Sequence, residues 1–125
     1  MRILFFIDSL EAGGKERRLV ELLKGLSLKD NIKFDVAVMN RQIDYNEIFD
    51  LGINIFYLER STRKDISIFQ KFYKICKECK PDIVHCWDSM TAIYSIPACK
   101  LLKIKLINGM IVDYPLKRNI FNKNW

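Results

Sequence analysis

Met1-Arg2-Ile3-Leu4-Phe5-Phe6-Ile7-Asp8-Ser9-Leu10-Glu11-Ala12-Gly13-Gly14-Lys15-Glu16-Arg17-Arg18 opens the chain and decides its fold. Arg2 leads into a continuous apolar run to Ile7, too short for a typical helix and rich in β-branched and aromatic residues. That is the pattern of a central parallel strand buried on both faces. Residues 8–14 break it, and Gly13 and Gly14 permit backbone angles closed to other residues. From Lys15 the period turns helical, with Leu19, Leu22, Leu23 and Leu26 on one face and Lys15, Glu16, Arg17, Arg18, Glu21 and Lys24 on the other. Strand, glycine turn and helix make a βα unit whose helix amides point outward, a natural place for an anion. The dinucleotide fingerprint needs three glycines at G-x-G-x-x-G, and this turn has two adjacent ones. Spacing alone leaves two readings open: an ordinary βα turn, or a contact to a phosphate or sugar diphosphate.

The rest of the chain alternates in the same way. A second strand is expected at 34–39 with one face less buried. A short helix should follow, capped by Asp44, running through Tyr45, Ile48, Phe49 and Leu51, and stopped by Gly52. A third strand falls at 53–58, then a charged loop at 59–64. Asp65 is the expected cap of a helix whose Phe69, Phe72, Tyr73 and Cys76 form a core stripe. Lys80-Pro81 ends that helix, because the residue before proline is pushed out of the α region. The fourth strand covers 82–87. Asp88 or Ser89 caps a helix to about Lys103, packed through Ala92, Ser95, Ala98, Cys99 and Leu102, which Pro97 should interrupt and kink. Residues 105–108 read as a fifth strand. Residues 109–125 show no clear period and carry Lys117, Arg118 and Lys123.

Strands alternating with helices predict an α/β fold: a Rossmann-like parallel sheet with helices on both faces. In such sheets ligands lie beyond the carboxyl ends of the strands, here 9–14, 40–44, 59–63, 85–89 and 108–113.

A chain of 125 residues bounds the fold to a single domain, and its hydrophobic half is enough for a core. It has neither an apolar run of the ~18 residues a membrane span needs nor a secretory signal pattern, so a cytoplasmic location is expected. The net charge of +6 suits an anionic partner such as a nucleotide sugar, a phosphorylated acceptor or a membrane surface. A merely solvated face accounts for it as well, since the basic residues are interleaved with acids. No aromatic-basic platform appears, which argues against nucleic acid. Cys76 and Cys79 have C-x-x-C spacing, but at the end of a helix the dipole raises a thiol pKa, and no second ligand pair completes a zinc site. With Cys86 and Cys99 they are expected to be reduced core or surface thiols, with no metal bound.

Several strand ends resemble one family. Residues 7–17, with Gly13-Gly14-Lys15-Glu16, are similar to the G-G-x-E opening of family 4 glycosyltransferases, and Pro81-Asp82-Ile83-Val84-His85 resembles their P-D-I-V-H strand. The helix at 91–102 and the strand after it look like the family's small-residue helix and next strand. The resemblance implies residues 1–125 as the N-terminal, acceptor-side half of a GT-B fold. Its donor-binding C-terminal domain would be absent, and the half itself incomplete after Trp125. It implies a retaining, metal-independent transfer from a nucleotide diphosphate sugar to a glycan, lipid or small-molecule acceptor, with no cofactor. Peripheral contact with the inner membrane face and a role in polysaccharide biosynthesis belong to the same expectation. By position, Gly13 and Gly14 face the donor diphosphate with Lys15 as a phosphate partner, while Ser9, His85, Asp88, Ser89 and Asp113 line the cleft. Many members place a histidine just after the fifth strand; here 108–113 has none, and no catalytic base is assigned.

Two alternatives compete. One is another GT-B enzyme, such as a sugar-nucleotide epimerase. The other is a flavodoxin-like binding module without activity, which a single Asp8 after strand one and Leu58-Glu59 after strand three do not favour.

Overall fold

A computed structural model describes residues 1–11, 13–59 and 66–108 of the chain. The strands are β1 (Arg2–Ile7), β2 (Lys33–Val38), β3 (Ile55–Tyr57), β4 (Ile83–Cys86) and β5 (Lys105–Asn108). The helices are α1 (Gly14–Leu26), α2 (Ser67–Cys79) and α3 (Ser89–Leu102), with a 3₁₀ turn at Asn46–Leu51. All pairings are parallel and the strand order is β3-β2-β1-β4-β5. β1 is therefore central, and its side chains from Leu4 to Ile7 are buried on both faces, as the apolar run predicts.

Alternation along β1 splits the core into two layers. Leu4 and Phe6 face α2 and α3, meeting Ile68, Phe72, Cys76, Val84 and Ala98. Phe5 and Ile7 face α1 and the 3₁₀ turn, meeting Leu19, Val20, Leu23, Val36 and Ile48. Helices cover both faces, and α2 packs on α3.

Several local expectations change. Leu22 is 38% exposed and Val20 takes its place in the core, because α1 docks along Leu19, Val20 and Leu23. β2 has no less-buried face: Phe34 to Val38 are all buried, including Asp35, whose carboxylate lies 3.9 Å from the Arg2 guanidinium. Tyr45, not Asp44, is the cap position of the turn that follows β2, and no side chain caps it. β3 is shorter than expected. Gly52 does end the 3₁₀ turn, with φ +69° in the left-handed region. Lys80, before Pro81, also ends α2 left-handed, at φ 48°. Asp88 rather than Ser89 caps α3, which continues without interruption through Pro97. The expected Asp65 cap and charged loop at 60–64 lie outside the described residues.

All four cysteines are free and buried in the layer under α2 and α3. Burial is the main force raising each thiol: Cys79 and Cys99 to about 11, Cys86 to about 12, and Cys76 upward as well. The thiolate is the reacting species. At pH 8 the folded protein is expected to leave a chromogenic disulfide reagent essentially unreacted, with four thiols released in denaturant. Rapid labelling of Cys76 or Cys79 in the native state would show that α2 is not docked as described.

Candidate functional site

A parallel sheet of this order has its topological switch point between β1 and β4, where neighbouring crossovers leave on opposite faces. Two loops meet there, with residues 8–11 and 13 after β1 and 87–88 after β4. Asp8 follows β1: its carbonyl accepts the Met39 amide at 3.1 Å, and its own amide donates to Asp88 Oδ2 at 3.1 Å. Asp8 Oδ1 accepts from the Ser9 amide at 2.8 Å and from Lys15 Nζ at 3.0 Å. Asp88 Oδ1 caps α3 by accepting the Thr91 amide at 2.8 Å. Lys15 Nζ lies 3.6 Å from Asp88 Oδ2 and 3.9 Å from Glu16 Oε2. Partial burial pulls the Lys15 pKa down, but the bond to Asp8 and the charges of Asp8, Asp88 and Glu16 outweigh it and leave it raised.

Neither glycine takes a left-handed backbone angle. Gly13 has φ 177°, extended backbone open to any residue. A Cβ on Gly13 would run into the Glu16 carboxylate folded back over the turn. The Gly13 amide donates to the Tyr45 hydroxyl at 3.1 Å, and that hydroxyl donates to the Gly13 carbonyl at 3.2 Å. This amide is thus bonded inside the protein instead of pointing freely outward. A Cβ on Gly14, by contrast, would meet nothing within 4 Å. Gly14 is the open position of the turn.

Of the residues singled out by sequence, Ser9, Gly13, Gly14, Lys15, Asp88 and Ser89 come together at the two loops. His85 belongs to β4 itself, its ring 5.4 Å from Phe5 and 5.2 Å from Trp87. Asp113 lies outside the described residues. Asp8, Glu16 and Tyr45 complete the arrangement and were not marked as site residues. Only Glu16 left a sequence signal, as the acid three places after the cap position Gly13. Two clefts, of 260 and 310 Å³, lie at the opposite end of the sheet. They are lined by Cys76, Pro81 and Ile104 and by Arg2, Lys33 and Asn54, away from the switch point.

Burial holds His85 below its ordinary pKa of 6.5. The unfolded chain then takes up this proton more readily than the folded one. The contribution of the neutral ring to stability is present above pH 6.5 and declines as pH falls toward the lower folded midpoint. His85 is the chain's one histidine, so a proton NMR titration should give one midpoint below 6.5. A midpoint at or above 6.5 would place the ring in water.

The strand order, the helices on both faces and the loops at the switch point define a Rossmann-like α/β domain. Residues 19–119 match the family described as glycosyl transferase 4-like, and the chain belongs to that family. No curated protein matches it. Among solved structures it is similar to a lipopolysaccharide outer core galactosyltransferase, WaaB, in its apo form, at TM-score 0.75 and 18% identity, covering 88% of this chain and 33% of that one. It is also similar to Acinetobacter baumannii MurG, at TM-score 0.70 and 14% identity over 97% of this chain and 38% of that one. A UDP-N-acetylglucosamine 2-epimerase follows the same course, at TM-score 0.67 and 16% identity over 86% of this chain and 32% of that one. The chain thus spans about a third of the length of these proteins. Among the described residues, no helix is long and apolar enough to cross a membrane.

Proposed function

We propose that this chain is the acceptor-side domain of a retaining, nucleotide-sugar-dependent glycosyltransferase acting on a glycan, lipid or small-molecule acceptor without a required metal. The observation that carries this reading is the family match across residues 19–119. The open Gly14 position at the switch point agrees with it. In this reading Gly14 and Lys15 approach the donor diphosphate, with Gly13 shaping the turn behind them. Ser9, Asp88, Ser89 and Asp113 edge the cleft, and the neutral His85 ring supports its floor. The domain contributes positioning and electrostatic stabilisation of the departing diphosphate. Lys15 is held by Asp8 before donor arrives, so its ammonium must turn from a carboxylate to a phosphate. The nucleotide is held chiefly by a second domain, and the parent works in the cytoplasm or peripherally at the inner membrane face.

One contact at a helix end contributes on the order of 1 kcal/mol, while micromolar affinity needs about 8 kcal/mol. Millimolar binding by this chain alone is expected. Titration with uridine diphosphate, followed by amide NMR, should move the signals of Gly14, Lys15 and Ser89. Shifts confined to the clefts at the far end of the sheet, or none at tens of millimolar, would overturn the assignment of the turn. A second reading, a sugar-nucleotide epimerase, is favoured by the similarity to the epimerase structure above and to a further one, from Neisseria meningitidis, bound to UDP-GlcNAc. Product analysis of the whole protein separates them: a new glycoside supports transfer, an inverted free or nucleotide-linked sugar supports epimerisation.

A further inference from the structure

We propose that Asp88 is a positioning residue that fastens the β1–α1 turn to the start of α3, fixing the offset between the two loops of the switch point. Its carboxylate has two jobs. Oδ1 takes the Thr91 amide and caps α3, which serine or asparagine does equally well. Oδ2 reaches across 80 residues of sequence to the Asp8 amide at 3.1 Å. In the β1–β4 ladder, the Trp87 amide donates to the Phe6 carbonyl at 3.1 Å. The next bond of a parallel ladder would run from the Asp8 amide to a backbone carbonyl. The Asp88 side chain supplies that acceptor instead, so the strands part while their ends stay tied. Lys15 closes the link, bonded to Asp8 Oδ1 at 3.0 Å and 3.6 Å from Asp88 Oδ2.

Asp88 is itself anchored in the core. Thr91 Oγ1 donates to the Asp88 carbonyl at 3.1 Å, and Ser95 Oγ donates to the Thr91 carbonyl at 2.7 Å. Ser95 Oγ also meets Cys86 Sγ at 3.1 Å. Thr91 and Ser95 are fully buried, so this polar thread ties the start of α3 to the end of β4. A cap alone would require none of the reach toward Asp8 and Lys15.

Amide hydrogen exchange on the full chain tests this directly. In the unaltered protein the Asp8 amide should be protected like a ladder amide, although it lies beyond the end of β1; exchange at the rate of an open loop overturns the proposal without any variant. In Asp88→Ser, which still caps but is too short to span the gap, Asp8 should exchange about tenfold faster or more, with Thr91 within about twofold of its original protection. Asp88→Asn also caps, but turns an amide donor toward the Asp8 N–H and should behave the same way. In both variants the Lys15 ammonium should titrate at lower pH, a change that loss of a cap alone does not produce. Unchanged Asp8 protection and an unchanged Lys15 midpoint in both variants would overturn the proposal. If Asp88→Ser fails to fold, the unaltered protein and Asp88→Asn still decide. A weaker response of Gly14 to uridine diphosphate in Asp88→Ser is expected only under the donor reading. Its absence beside the exchange changes would count against that reading and not against the link.

Discussion

Phe72→Ala is expected to remove a large share of the protein's folding stability. The Phe72 ring is fully buried and stacked on Phe6, with centroids 4.5 Å apart and planes 10° from parallel. It is the point where α2 meets the central strand, between Ile68, Leu4 and Val84. Truncating such a ring removes its burial and leaves a cavity, at a cost of about 3–5 kcal/mol. A domain of this size holds about 5–15 kcal/mol in all. The urea midpoint should therefore fall sharply with little change in slope. Phe49→Ala is the control: at 53% exposure it should shift stability by no more than about 0.5 kcal/mol. If Phe72→Ala costs less than about 1 kcal/mol, the stacked pair is not part of the core.

Gly14→Val should have the opposite profile, with ligand response lost and stability kept. A Cβ at Gly14 enters open space, and no left-handed backbone angle is recorded there. Valine and glycine differ in helix propensity by only a few tenths of a kcal/mol, so the melting curve should stay nearly in place. A branched side chain at the first residue of α1 nevertheless stands where a diphosphate would approach the backbone. The uridine diphosphate response should weaken at least tenfold, on the order of 1.4 kcal/mol. Gly13→Ala tests a different contact, because its methyl group displaces only the end of the Glu16 side chain. An unchanged titration in folded Gly14→Val would remove this turn from the site.

The fold was legible where one local signal agreed with its surroundings. The apolar run at Ile3–Ile7 needed cover on both faces, and the helical periods between strands supplied it. Legibility failed where a tertiary partner overruled local preference. Asp35 marks β2 as half-solvated on pattern alone, but the neighbouring strand brings Arg2 within 3.9 Å of its carboxylate. Leu22 fits the apolar face of α1 by spacing, yet the angle at which the helix docks gives Val20 the buried position. At the site, the turn was visible through its glycines, whereas its occupants were not. The bonds from Tyr45 to Gly13 and from Asp88 to Asp8 span 32 and 80 residues, distances at which no spacing rule operates.

The place of β1 at the centre of the sheet bears on how the chain is made. β1 is synthesised before either of the strands that pair with its two edges, and its pairing with β4 sets Ile3 against Ile83. At about 5–20 residues per second, synthesis exposes that edge for several seconds before β4 exists to cover it. During that interval Leu4, Phe5, Phe6 and Ile7 form an apolar strand with one open side, the kind of segment that holdase chaperones bind and that pairs with its own copies. Expression at lower temperature or with added chaperone capacity should therefore raise the soluble yield more than any surface substitution does. The same topology makes a chain stopped before Ile83 the species most prone to aggregate.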